Sequence, residues 1–404
     1  MDKPHAVVIG SGIGGLTAAV ALYGRGWRVT VLERAASLEP VGAGISLAPN
    51  SQRALDVIGM GDEIRELAAW QGEGGIRVPG GRWLSRTDSA AAAERFGGTI
   101  VLLHRATLVE RLVARLPEGT VRTGAAAELL DPGTAGGAPA VVGTVAGNIE
   151  ADVVVGADGI NSAVRSGLFP DHPGPSYAGF TTWRIVVPDI DRPFAPHETW
   201  GRGALWGTHP LKDGRIYAYG AAVAPAGAHA ADDEKAELLR RFGSWHDPIP
   251  SVIAAAGQVL RNDVHQLLEP LPSYHRGRTA LVGDSAHAMA PSLGQGGNQA
   301  VEDAIVLAHH LLPGGDLGAG LAAYSADRLP RTSAIVRKAA RTSRLMCLTS
   351  APAVAMRDAL MSAVSRFGSD LVLRTFDGIA DWQPPRHTYA APRQVNTAPA
   401  GTEQ

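Results

Sequence analysis

Cysteine is almost missing from this sequence: one residue, Cys347, in 404. That excludes an internal disulfide and any multi-cysteine metal site, and fits a reducing, cytoplasmic compartment. Cys347 itself reads as a small buried apolar residue. An excess of one charge is also lacking. Lys and Arg number 37 against 39 Asp and Glu, a net of −2, so no nucleic-acid partner is expected. Clean long apolar runs are absent too. Residues 7–24, VVIGSGIGGLTAAVALYG, have the length of a membrane span but carry five glycines and turn chemistry, so no span is expected. The first strand is read within a few residues of Met1, so no signal peptide is expected. No fixed-period repeat, metal-ligand set or nucleophile triad is visible, and the metal expectation is none.

What is present is ordinary globular composition, 45% hydrophobic and 19% charged, enough for one large core or two smaller ones. HAVVIG, a glycine turn, an alanine-rich helix over about 14–25 and RVTVLER make a βαβ start. Residues 104–116 have helical spacing. DVVVGADG (152–159) and TALVGD (279–284) are short apolar strands ending at an acid. Residues 176–224 have a different texture, with Tyr/Thr/Val alternation in TTWRIVVP, ALWGTHP and RIYAYGAAV that predicts antiparallel strands. After 297 the pattern is helical to about 375. The expected partition is a discontinuous α/β domain (1–175 and 270–385) with C-terminal helices, a β-rich insertion (176–269), and a tail (386–404).

Three junctions carry chemistry. Gly10-Ser11-Gly12-Ile13-Gly14-Gly15 satisfies G-x-G-x-x-G between strand and helix. Such a turn lets backbone approach a pyrophosphate and points a helix N-terminus at it. Glu33, about 20 residues on with Arg34 beside it, stands where an acid accepts from a ribose diol. This motif alone does not separate FAD from NAD. The second junction is Gly156-Ala157-Asp158-Gly159 with Asn161, Ser162 and Arg165. The third is Gly283-Asp284, then Pro291, Gly294, Gln295, Gly296, Gly297 and Asn298.

In this order, GxGxxG, GADGxxSxVR and GDSAHxxxPxxGQGxN, the junctions resemble the class A flavoprotein aromatic monooxygenases of the para-hydroxybenzoate hydroxylase fold. The resemblance runs from residue 5 to about 330. Gly42-Ala43-Gly44-Ile45 with Pro49-Asn50, and His104-Arg105-Ala106-Thr107-Leu108, match as well. It implies a Rossmann-like FAD-binding domain with an inserted β-rich substrate domain. It also implies that the two glycine turns serve two ends of one FAD. Gly10, Gly12, Gly14 and Gly15 would hold the pyrophosphate. Asp284 and Arg105 would lie along the ribitol and pyrophosphate, and Gly44, Pro291, Gly294, Gly296, Gly297 and Asn298 around the flavin ring. Asp158 and Arg165 would touch FAD or a transient NADPH or NADH. Arg165 is equally read as a brace for the Asp158 turn, and His287 as structural or flavin-side.

The implied activity is insertion of one oxygen atom from O2 into an electron-rich aromatic, indolic or polycyclic small molecule through a flavin C4a-hydroperoxide. An alkene or terpenoid epoxidase and an FAD oxidoreductase without oxygen transfer remain alternatives. A halogenase is disfavoured because TTWRIVVP has one tryptophan where W-x-W-x-I-P needs two. Alternation puts Trp183 and Ile185 on one sheet face and Thr182 and Arg184 on the other. Tyr217 pairs in facing with Tyr219, and Leu205 with His209 against Trp206 and Thr208. Which face lines the pocket is open. Tyr217, Arg184 and His209 are the catalytic candidates. Urate-oxidising relatives carry an arginine near the position of Leu205, which weighs against urate. A monomer or homodimer is expected.

Overall fold

The computed structural model describes residues 3–38, 44–69, 73–190, 194–366 and 373–385. Gly42, Ala43 and the 386–404 tail lie outside them. A six-stranded sheet has the order His275–Arg276, Thr279–Leu281, Val153–Gly156, His5–Ile9, Arg28–Leu32 and Val121–Arg122. All its pairings are parallel except that between the first two strands. His5–Ile9 and Val153–Gly156 are buried throughout, which is why they read as unbroken apolar runs: helices cover both faces of a parallel sheet. One cover is the helix Ile13–Gly24, which packs on the helix Gly296–His310. Gly14 permits this approach, since a Cβ there would stand 3.2 Å from that of Ala300.

The second sheet has seven strands, in the order Leu260–Gln266, Ser176–Val187, Ile216–Val223, Ala204–Pro210, His197–Trp200, Glu73–Arg77 and Trp83–Asp88. Its last two strands come from outside the expected 176–269 stretch, which corrects the expected partition. Glu73–Arg77 runs parallel to His197–Trp200, pairing Gly75 with His197 and Arg77 with Thr199, and so covers an otherwise open edge. EGGIR carries too few β-branched or aromatic residues to announce a strand. A three-stranded sheet over Ala127–Asp131, Ala140–Thr144 and Gly147–Ala151 was likewise not expected.

Alternation gives the larger sheet two different faces. Trp183, Ile185 and Trp206 pack with Leu238, Phe242, Val252 and Ile253 of the helices Glu234–Phe242 and Ile249–Ala254. Arg184, Tyr217, Tyr219, Leu205 and His209 face the other way, into a cavity.

Beneath that cavity the helices Gly296–His310 and Leu317–Met346 are joined by buried charge. Arg328 donates from Nη1 to Glu302 at 2.6 Å and from Nε to Asp303 at 2.7 Å. The other Asp303 oxygen accepts from the Gly283 N–H at 2.8 Å and meets His287 Nε2 at 2.5 Å. Burial raises the Asp303 pKa, but His287 and Arg328 outweigh it and bring it down to about 2. Glu302 also accepts from Asn50 at 2.7 Å and from Arg331 at 2.8 Å. His287 is thus held inside this network, as its structural reading expects.

Candidate active site

At the first glycine turn, Gly10 has φ +104°, and a Cβ there would lie 2.4 Å from the Ala157 carbonyl oxygen. At Gly15 it would lie 2.1 Å from the Gly10 oxygen. Those two glycines are required by the protein's own backbone. Gly12 is different. Its backbone is extended (φ −64°, ψ 175°), no side chain caps the helix that follows, and a Cβ would meet nothing within 4 Å. The open space beside Gly12, at a helix N-terminus with free N–H groups, suits a pyrophosphate. Glu33 is half-buried here and accepts from Ser11 N (2.9 Å) and Oγ (2.6 Å) and from Ala35 N (2.8 Å). Burial raises its pKa, yet these hydrogen bonds together hold it below the usual range. It remains an ionised acceptor next to the turn. Arg34 is exposed beside it.

Arg105 opens the helix Arg105–Val113. Its side chain reaches solvent but is surrounded by protein on most sides. Desolvation lowers its pKa; Asp284 opposes that shift and Arg184 adds to it. Neither Arg105 nor Arg184 has a hydrogen-bond or ion-pair partner among the described residues. Asp284 is exposed between buried neighbours. An unpaired guanidinium and an unpaired carboxylate near each other fit the phosphate and hydroxyl groups of a dinucleotide.

The second glycine turn ends at the helix Gly296–His310, whose first turn has no side-chain cap. Gly294 takes φ +61°. Gly44, Pro291, Gly294, Gly296, Gly297 and Asp284 all border a cavity of about 710 Å3. The seven-stranded sheet forms its opposite wall, with Arg184, Tyr217 and His209 among the lining residues. A Cβ on Gly44 would lie 2.5 Å from Tyr217 Cδ1, so that glycine admits the tyrosine ring rather than a cofactor atom.

Three expected cofactor ligands are occupied elsewhere. Asp158 accepts from Ser162 Oγ (2.5 Å) and Val164 N (3.1 Å), organising the helix Ala163–Leu168. Arg165 is 3% exposed and donates to the carbonyls of Ser285 and Ile160 at 3.1 and 2.8 Å. It is a brace between two of the glycine junctions and does not face the cavity. Asn298 is fully buried; its amide donates to Ser46 O and Gly294 O, and its oxygen accepts from Ala48 N. It ties the glycine loop to the neighbouring strand Gly44–Leu47. In each case a polar residue inside a motif satisfies buried backbone, and spacing alone cannot distinguish that use from a ligand contact.

One cavity group, Glu198, escaped sequence reasoning. Glu198 lines the cavity and accepts from the Tyr219 hydroxyl and, at 2.8 Å, from Trp200 Nε1. HETW carried no signal beyond strand alternation. The Tyr219 hydroxyl reaches Glu198 across Gly207, where a Cβ would lie 2.3 Å from the Tyr219 ring. Replacing Gly207 by alanine is expected to cost about 1–3 kcal/mol by overpacking and to push Tyr219 off Glu198. Thermal melting of the variant, with retained FAD stoichiometry, checks the first; the ring position in its crystal structure checks the second.

Two histidines of this sheet, His197 and His209, are held neutral. Desolvation lowers both His197 and His209 from 6.5 to about 4. His209 stacks on Tyr219 with ring centroids 5.7 Å apart. Below pH 6.5 the unfolded chain binds protons at both positions that the folded chain refuses until about pH 4. The ligand-free protein should therefore lose stability as pH falls through that window. Melting temperatures recorded between neutral pH and pH 5 check this, with a His197→Gln/His209→Gln pair flattening the slope.

The family model described as FAD binding domain matches residues 3–339. Aurachin C monooxygenase/isomerase of Stigmatella aurantiaca is 36% identical over 364 residues, covering 89% of this chain and 94% of that protein. FAD-dependent urate hydroxylase of Klebsiella pneumoniae is 33% identical over 342 residues, covering 83% and 88%. The structure of Klebsiella pneumoniae HpxO complexed with FAD and uric acid matches with a TM-score of 0.83 at 28% identity, over 94% of this chain and 96% of that one. No helix among the described residues is long and apolar enough to cross a membrane. The open cradle at Gly12, the two glycine turns and these matches lead to one conclusion: the chain belongs to the FAD-binding-domain family of flavoprotein aromatic monooxygenases and is an FAD-dependent monooxygenase.

Proposed function

We propose that the enzyme uses NADPH or NADH and dioxygen to hydroxylate a neutral aromatic, indolic or polycyclic small molecule. The observation that carries this reading is one cavity that has a glycine turn and helix N-terminus on one wall and an aromatic sheet face on the other. When bound, FAD supplies dioxygen activation and transfer of one oxygen atom. The protein's own residues hold, orient and exclude water. Gly12, Gly14 and Gly15 leave backbone N–H groups for the pyrophosphate, Gly10, whose own N–H donates to the Leu32 carbonyl, makes the turn, Glu33 accepts from the ribose, and Arg105 pairs with phosphate. Gly294, Gly296 and Gly297 admit the flavin edge to backbone N–H groups, where the helix N-terminus favours negative charge by about 0.3–2 kcal/mol. Tyr217, buried to 7% exposure, and Leu205, to 4%, present apolar surface to the substrate. Arg184, without a hydrogen-bond or ion-pair partner among the described residues, supplies a fixed positive charge at the substrate's edge. Leu205 in the wall supports an apolar ring over urate.

The test is reduction of the purified holoenzyme by NADPH and by NADH without oxygen, followed by aerobic runs with phenols, indoles and quinolones. Faster flavin bleaching with a panel member, and oxygen consumed in step with an oxygenated product, supports hydroxylation. Flavin that reduces without any oxygenated product across the panel overturns it.

A further inference from the structure

The cavity face of the seven-stranded sheet carries one continuous polar row across four strands. Arg184 pairs with Tyr219, Tyr219 with Gly207, and Gly207 with Glu198. All side chains in one row of a sheet point the same way. Gly207 contributes none, and the Tyr219 ring fills that gap to place its hydroxyl on Glu198 Oε1. Glu198 Oε2 accepts from Trp200 Nε1 at 2.8 Å. Each carboxylate oxygen therefore has one donor and room for another. The row ends in a carboxylate on the cavity wall, beside the space where the substrate would lie.

We propose that Glu198, together with Tyr219, is the proton acceptor for the substrate, and that the substrate is accordingly a phenol or an N–H heteroaromatic rather than an alkene. The inference rests on the monooxygenase reading above and specifies it. In the step, the substrate O–H or N–H bond breaks and its electron pair stays on the ring. The proton forms a new O–H bond on Glu198, either directly or as Tyr219 accepts it and passes its own proton on. A ring made electron-rich in this way is the better partner for an electrophilic oxygen. The ring recovers aromaticity by losing the C–H proton at the hydroxylated carbon to solvent, and the oxygen or nitrogen that was deprotonated takes a proton from solvent. Glu198 releases the proton it took to solvent before the next turnover, so it ends each cycle as it began.

The surroundings suit a base. Burial raises the Glu198 pKa, while the hydrogen bonds from Tyr219 and Trp200 hold it down. A carboxylate raised toward the working pH is a stronger acceptor than one in water. The other titratable or charged groups lining the cavity are Arg184 at the far end of the row, Tyr217 beside Tyr219, His209, held neutral, Cys347, whose thiol burial pushes up to about 11 and which packs with Tyr219 and Trp200, and Asp88 and Asp284. His197 lies next along the Glu198 strand and is also held neutral. Arg357 stands behind Trp200, 5.5 Å from its ring, and is paired with Asp358. No other carboxylate among the described residues contacts Tyr219.

The experiment uses the FAD-loaded full chain with 4-nitrophenol and 4-hydroxyquinoline as probes, since ionisation changes their absorption. In the wild type, the ionised fraction of bound probe should be flat with pH below the probe's own pKa, because the proton stays inside on Glu198. In Glu198→Gln it should rise only as pH approaches that pKa. Identical titrations in the two proteins, or failure of both probes to bind, overturn the proposal. With a panel compound that turns over, Glu198→Gln should lower kcat about 100-fold at neutral pH and regain it toward alkaline pH, with KM little changed. Its O- or N-methylated analogue should be a poor substrate for wild type and indifferent to the substitution. Methylated analogues oxygenated as fast as their parents overturn the proposal. Tyr219→Phe, which keeps the carboxylate, should give the same pattern in weaker form and stands in should Glu198→Gln lose FAD. If no panel compound is oxygenated by wild type, the hydroxylase reading falls, while the probe titration still decides the role of Glu198.

Discussion

A Gly12→Ala variant is expected to melt like the wild type when stripped of cofactor and to bind FAD about 100-fold more weakly. The two halves of that result have separate causes. Gly12 has an ordinary extended backbone, and its Cβ would project into empty space. Alanine there costs the folded apoprotein nothing in strain or packing. The same methyl group stands where a pyrophosphate must approach the first N–H groups of the helix Ile13–Gly24. Gly15→Ala is the contrast: its Cβ would collide with the Gly10 carbonyl at 2.1 Å, so both apo stability and FAD affinity should fall. Apo melting curves and FAD titrations by flavin fluorescence measure both quantities on both variants. Undiminished FAD affinity in Gly12→Ala would mean that the pyrophosphate does not lie at this turn.

The largest loss of stability is expected from Arg328→Met. The side chain is 1% exposed and donates to two carboxylates, Glu302 and Asp303, that are themselves fully buried. Removing one partner of a buried ion network leaves uncompensated charge and costs about 3–5 kcal/mol. Arg331 still touches Glu302 and His287 still touches Asp303, which places the loss toward the lower end. A triple variant with Glu302 and Asp303 also made apolar should recover part of it, since the network is worth less than its breakage suggests. Denaturant unfolding of the three proteins at one pH decides between these outcomes. Arg328 also donates to Gln299 Oε1 at 2.8 Å, so the first turns of the helix Gly296–His310, which border the cavity, should loosen along with stability.

Much of this was legible in the sequence because the relevant signals are local. A glycine turn between an apolar strand and an alanine-rich helix needs only neighbouring residues to form, and period-two alternation put Thr182 and Arg184 opposite Trp183 and Ile185. What alternation cannot supply is which face is covered. That depends on the helices Glu234–Phe242 and Ile249–Ala254, which claim Trp183 and Trp206, and they lie dozens of residues away. The same limit hid Glu198: its meaning comes from Tyr219 and Gly207 on two other strands. Asn298 shows the opposite difficulty, as does Arg165, for which a ligand contact and a brace were equally open readings. Each sits in a motif whose spacing suggests a ligand contact, and each satisfies backbone carbonyls that the junctions leave buried. EGGIR gave no strand signal because its pairing is imposed by the edge it covers.

The two-faced sheet has a consequence for how such an enzyme acquires new substrates. Consecutive residues along one strand answer to different selective demands: Trp183 and Ile185 to folding, Thr182 and Arg184 to what enters the cavity. A point mutation at an even position of that strand leaves the odd-numbered packing intact, and additivity holds best between sites that share no partners. Chemical taste can therefore drift, one alternate residue at a time, over a scaffold whose packing those changes leave untouched.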